Sequence, residues 1–150
     1  MRSIKLIIIL PLIFLALSGW AQRKIKYEDR LPAILRMDVP SAIAELKEFQ
    51  ALEPINPSIN FQLALIYYKR FQESDPILQY KRAMANIVLA KESFDKMMPY
   101  LDEKEVKKNK EQFINFAIID EKGRYTVSVD SLLKKTRLAI DSMSSFESNM

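Results

Sequence analysis

Apolar residues recur at every third or fourth position through most of this chain, and prolines interrupt the recurrence. That spacing places apolar side chains on one face of an α-helix, and a proline either ends a helix or lies in its first turn. The pattern predicts a mainly α fold with helices over about 23–37, 42–53, 58–70, 76–98 and 131–146, and a solvated Lys- and Glu-rich helix over 102–112.

Residues 113–129 depart from the helical period. In the second half of this stretch apolar and polar side chains alternate, and Gly123 falls between the two halves. Alternation of this kind around a glycine-containing turn is typical of a β-hairpin. We therefore predict strands over 113–119 and 124–129, with a positive φ at Gly123. A helix that continues through Ile119 is the alternative interpretation.

The N-terminus has the three-part layout of a secretory signal peptide. Arg2 and Lys5 form a basic start, and residues 6–17 form a mostly apolar run. Gly19 and Ala21 then place small residues where signal peptidase has shallow pockets. The order and spacing of these features predict export from the cell.

We expect cleavage between Ala21 and Gln22, which would leave residues 22–150 as one helical domain. An uncleaved membrane anchor is the alternative, but a membrane-spanning helix needs about 20 apolar residues and this run is shorter. The protein is predicted to be periplasmic or associated with the outer membrane. The abrupt end at Met150 suits the N-terminal part of a longer protein.

Histidine and cysteine are both absent from the sequence. The first absence removes the commonest general base and zinc ligand. The second removes thiol catalysis, thiolate metal sites and any lipid anchor attached through Cys. The formal net charge is +4, of which Arg2 and Lys5 supply two, so the charge gives no case for nucleic acid. We predict a protein that is not an enzyme, holds no cofactor or metal and has no lipid anchor.

An internal repeat is the most specific pattern in the chain. One helix carries a small, an aliphatic and an aromatic residue before a proline, and the next carries Leu, a small residue and Tyr. A third fragment resembles the first after an insertion. The residues are Ala42, Leu46, Phe49 and Pro54, then Leu63, Ala64 and Tyr67, then Ala83, Ile87 and Ala90. Over about residues 38–98 the chain resembles degenerate tetratricopeptide (TPR) repeat proteins of the bacterial cell envelope. It departs from the family at Asn60, where a large aromatic is usual. An ordinary helical bundle is the alternative.

The resemblance implies antiparallel helix pairs and a concave groove that holds a peptide or a partner protein. In this register the groove-facing positions are Ser58, Phe61, Leu65, Tyr68 and Lys69. If helix 76–98 covers Phe61 and Leu65, both belong to the core. The expected function is a non-enzymatic protein- or peptide-binding or scaffolding module of the cell envelope. The alternative is a structural subunit of an envelope assembly without a peptide groove.

Overall fold

The computed structural model describes residues 25–119 and 122–149, so the predicted leader and the cut between Ala21 and Gln22 lie outside the described residues. The helices are α1 (Tyr27–Ile34), α2 (Val39–Leu52), α3 (Pro57–Gln72), α4 (Tyr80–Met97), α5 (Glu103–Lys108) and α6 (Val129–Ser148), with 3₁₀ helices at Met98–Tyr100 and Lys110–Phe116. Strands β1 (Ile118–Ile119) and β2 (Tyr125–Thr126) pair antiparallel. The expectation of a mainly α fold is confirmed.

The chain divides into two compact units, residues 1–32 and 33–150. The described part of the first unit holds most of α1, in which Tyr27 and Leu31 are buried. The second unit contains the helices that carry the repeat pattern.

Helix α4 begins at Tyr80, later than the expected start at residue 76. The Asp75 carboxylate accepts hydrogen bonds from the backbone N–H groups of Ile77 and Leu78, at 2.8 Å each. These bonds hold the pKa of Asp75 below its ordinary value, and the bond from Leu78 has the larger effect. Asp75 thus fixes a separate turn over residues 76–79, and Gln79, with φ −121°, keeps this turn from joining the helix.

The hairpin exists but is shorter than expected. Gly123 has a φ of +73°, as predicted for the turn, and β1 pairs with β2 through two residues of each strand. The expectation of a strand over 113–116 is wrong, because those residues belong to a 3₁₀ helix. Residues three apart stack on one side of a 3₁₀ helix, which lets Phe113 and Phe116 be buried together.

Helix α3 lies at the centre of the second unit and packs against α2, α4 and the 3₁₀ helix Lys110–Phe116. Every residue of its first two turns is buried, which is expected only of a helix with neighbours on all sides. The repeat positions lie in the same core. The buried ones are Ala42 and Leu46 on α2, Leu63, Ala64 and Tyr67 on α3, and Ala83, Ile87 and Ala90 on α4.

Asn60 joins the start of α3 to the end of α2. Its side-chain N–H₂ donates to the backbone oxygens of Pro54, at 3.0 Å, and Asn56, at 2.9 Å. Its side-chain oxygen accepts a hydrogen bond from the Gln50 amide at 2.6 Å. Asn60 is fully buried, so these three bonds satisfy a polar group that would otherwise destabilise the core. Asn60, where the sequence departs from the TPR pattern, is therefore a polar clamp between α3 and the residues before it.

Candidate functional site

Phe61 does not line an open groove, which corrects the sequence-based expectation for this residue. Its side chain is fully buried. The ring lies 4.9 Å from the Phe113 ring and 5.2 Å from the Phe116 ring, measured between centroids. The 3₁₀ helix Lys110–Phe116 thus occupies the face of α3 on which a peptide was expected.

Ser58 is also buried rather than exposed in a groove. Its hydroxyl donates to Glu105 Oε1 at 3.0 Å, and the Asn109 side chain donates to the same oxygen at 2.6 Å. Gln62, one turn further along α3, donates from its side-chain amide to the backbone oxygen of Gln112 at 3.2 Å. These hydrogen bonds connect α3 to α5 and to the segment that follows α5.

The remaining predicted groove residues are accessible to different degrees. Leu65 and Tyr68 are half-buried, and the Tyr68 ring lies 6.4 Å from the Phe94 ring. Lys69 is exposed, and its ammonium group lies 3.7 Å from the carboxylate of Glu73. Of the five predicted positions, Lys69 alone lines the apolar cleft described next.

Within the second unit, an apolar cleft lies where residues 34–37, the start of α2 and the end of α3 meet, and we call it the Ile66 cleft. Its volume is about 200 Å³, and it is lined by Ile34, Leu35, Met37, Val39, Ala42, Ile66, Lys69, Arg70 and Glu73. Ile34 and Ala42 are buried at its base, whereas Leu35 is 60% exposed at its edge. Small-molecule sites usually measure about 300–1,000 Å³, so this cleft better suits one or two side chains of a peptide.

Charged side chains stand on one side of the Ile66 cleft. Lys69 and Arg70 contribute two positive charges, and Glu73 contributes one negative charge. The side chains of Lys69 and Glu73 are 76% and 63% exposed, so their ion pair is weak and exchanges readily with other partners. The rim therefore has an excess positive charge beside an apolar floor. This combination favours an apolar side chain that has a carboxylate next to it.

A second, more open depression lies elsewhere on the surface. It has a volume of about 630 Å³ and is lined by Lys47, Gln50, Ala51, Pro54, Ile55, Lys96 and Tyr100. Like the Ile66 cleft, the second depression contains two cations, here Lys47 and Lys96. Unlike the Ile66 cleft, it has no buried aliphatic residues among those that line it. The second depression is therefore a useful control for effects of charge alone.

Within residues 25–119 and 122–149, no group of three or more His, Cys, Asp or Glu residues is placed to hold a metal ion. None of the helices in these ranges is long and apolar enough to cross a membrane.

No protein-family model, curated protein or solved structure matches the chain. The likeness to TPR proteins therefore depends on the residues quoted above and stays a prediction.

The residues of the Ile66 cleft other than Lys69 were not predicted from the sequence. The floor and rim residues come from α2, α3 and the segment 34–37 before α2, and they follow no motif spacing, so no local pattern marks them. A signal that could have found them is the pair Leu35 and Met37, two apolar residues in the link between helices.

Proposed function

We propose that this protein is a non-enzymatic, TPR-like module of the bacterial cell envelope that binds short peptide segments in the Ile66 cleft. The observation that carries the proposal is the apolar floor of the cleft beside the cationic pair Lys69 and Arg70. The absence of His and Cys from the whole sequence fits a binding role better than a catalytic one.

The burial pattern supports the TPR-like arrangement. The small residues Ala42, Ala64 and Ala83 are all buried, one on each of three successive helices. A small side chain lets a neighbouring helix approach closely, and the TPR register expects small residues there. Residues 53–56 link α2 to α3, and a link this short suits an antiparallel pair.

The chemistry of the cleft indicates what the peptide should contain. Burying one aliphatic side chain contributes about 1.5–3 kcal/mol. An exposed ion pair with Lys69 or Arg70 adds about 0–1 kcal/mol. Together these terms correspond to an affinity no tighter than about millimolar for a single Leu flanked by carboxylates. Stronger binding requires a longer segment or several copies of the site.

Charge reversal tests this proposal. The probe is a short peptide with one Leu flanked by Glu residues, titrated into isotopically labelled protein and followed by NMR. We expect Lys69→Glu with Arg70→Glu to weaken binding by about tenfold, because two weak attractions become repulsions. A matched double variant, Lys47→Glu with Lys96→Glu, changes the net charge equally at the second depression and should bind like the parent. Equal affinity of all three proteins would contradict the proposal, as would tighter binding of a peptide with Lys in place of Glu.

One observation favours a second candidate function, a structural subunit of an envelope assembly without a peptide groove. The face of α3 that carries Phe61 is covered by residues of the same chain, as expected for a helix with a purely structural role. The two candidates differ in purification. A structural subunit stays in a defined complex through extraction and gel filtration, whereas a peptide-binding module elutes alone and binds the probe peptide.

The proposed location leads to a prediction about the N-terminus. The mature protein should begin at Gln22. Ala21→Arg should leave the precursor uncleaved on the membrane, because the pocket of signal peptidase accepts only small residues at this position. N-terminal sequencing of protein from envelope fractions measures this. Recovery of full-length chain from the cytoplasm would contradict both the export and the envelope function.

A further inference from the structure

The turn between α3 and α4 presents two aliphatic side chains almost completely to solvent. Ile77 and Leu78 are each 84% exposed, and Tyr80 follows at 41%. Single exposed apolar residues are ordinary, but adjacent ones at the tip of a turn form a patch that binding can cover. Ile77, Leu78, Gln79, Tyr80, Lys81 and Arg82 border one shallow depression, which we call the tip surface.

The turn is held in one conformation by its own hydrogen bonds. Asp75 accepts from the N–H groups of Ile77 and Leu78 through its side chain, and from that of Gln79 through its backbone oxygen at 2.9 Å. A fixed turn loses little conformational entropy when its tip becomes buried. Ile77 and Leu78 are therefore presented ready for insertion into an apolar phase.

The cations of the tip surface stand directly beside its aliphatic side chains. Residues 73–82 contain two cations, Lys81 and Arg82, and two carboxylates. One carboxylate, Glu73, pairs with Lys69, and the other, Asp75, is turned toward backbone N–H groups. Lys81 and Arg82 are exposed next to the aliphatic tip.

We propose that the tip surface docks onto an anionic lipid bilayer, with Ile77 and Leu78 inserted among the acyl chains and Lys81 and Arg82 against the headgroups. Aliphatic side chains insert into the acyl region of a bilayer, and cations are attracted to anionic headgroups. Tyr side chains are enriched at the interface between the acyl region and the headgroups. The order of residues along the turn matches these three layers. The site is separate from the Ile66 cleft and does not depend on peptide binding there.

Vesicle co-sedimentation tests the proposal. The parent protein should bind vesicles of equimolar phosphatidylglycerol and phosphatidylcholine, and bind much less to phosphatidylcholine alone. Ile77→Ser with Leu78→Ser should weaken partitioning by more than about tenfold, because two inserted aliphatic side chains are lost. Lys81→Gln with Arg82→Gln should weaken it by about tenfold, and added salt should reduce the difference between this variant and the parent. Every variant carries the same N-terminus, so differences among them come from the substituted positions.

The matched control removes an exposed aliphatic pair elsewhere. Leu52 and Ile55 are 56% and 57% exposed, and Leu52→Ser with Ile55→Ser should bind vesicles like the parent. Equal vesicle binding by the parent and by the tip variant, Ile77→Ser with Leu78→Ser, would overturn the proposal. Failure of the parent to bind anionic vesicles would also overturn it. The tip surface could instead be covered by a second copy of the chain, and gel filtration without lipid tests for such self-association. Self-association that the tip variant abolishes would also overturn the proposal. Unchanged peptide binding by the tip variant would show that the two sites are independent.

Discussion

Replacing Phe61 with Ala is expected to lower the free energy of unfolding by about 3–5 kcal/mol, the usual cost of removing a buried aromatic ring. The ring is fully buried between the rings of Phe113 and Phe116, so its loss leaves a cavity between α3 and the 3₁₀ helix. Urea unfolding followed by circular dichroism measures the change. Tyr125→Ala is the matched control, because Tyr125 is exposed and its loss should change stability by no more than about 0.5 kcal/mol.

The same variant separates two interpretations of α3. If Phe61 lined a peptide groove, its replacement would weaken binding and leave stability almost unchanged. An unfolding curve that coincides with that of the parent would therefore contradict the covered position of Phe61.

Replacing Asn60 with Leu is expected to have the second largest effect. Leu has the same branched arrangement of side-chain heavy atoms but is larger, and it cannot replace the hydrogen bonds to Pro54, Asn56 and Gln50. Each buried polar group left without a partner costs about 1–3 kcal/mol, so we expect a total loss of about 2–4 kcal/mol, since the half-buried Gln50 recovers part of it from water. The thermal midpoint and the urea midpoint should both fall.

Gln50→Ala is the control for the Asn60 variant, because it removes only one of the three hydrogen bonds. It takes away the donor to the Asn60 side-chain oxygen and should cost about 1–2 kcal/mol, less than the Asn60 variant, which removes all three bonds. An Asn60→Leu variant as stable as the parent would show that a large apolar residue is accommodated here and that the clamp adds nothing.

Helices α2, α3 and α4 were predictable because each carries a repeated apolar face and a nearby proline, and α6 was predictable from its apolar face alone. The sequence also indicated the small core residues Ala64 and Ala83 and the turn conformation of Gly123. Local patterns were sufficient for these features, because the physical cause lies within a few residues. Asp75 is the exception, since it captures the N–H groups of the following turn and delays α4.

Contacts between distant segments could not be predicted in this way. Phe61 meets Phe113 and Phe116 although a long stretch of chain separates them, and the 3₁₀ helix that brings Phe113 and Phe116 together lies in a stretch that departs from the helical period and was predicted to be a strand. For the same reason only Lys69 of the Ile66 cleft was predicted. The floor of the cleft forms where residues 34–37 meet α2 and α3, and no spacing within one helix encodes that contact.

The site of peptide binding is the most direct test of the proposed function. Amide chemical shifts are recorded while the peptide with one Leu flanked by Glu residues is added to the labelled protein. We expect the largest changes within residues 34–42 and 66–73, which surround the Ile66 cleft. Changes that concentrate instead on residues 110–116, or around Ile55 in the second depression, would contradict binding in this cleft, and an unperturbed spectrum at saturating peptide would contradict the binding function itself.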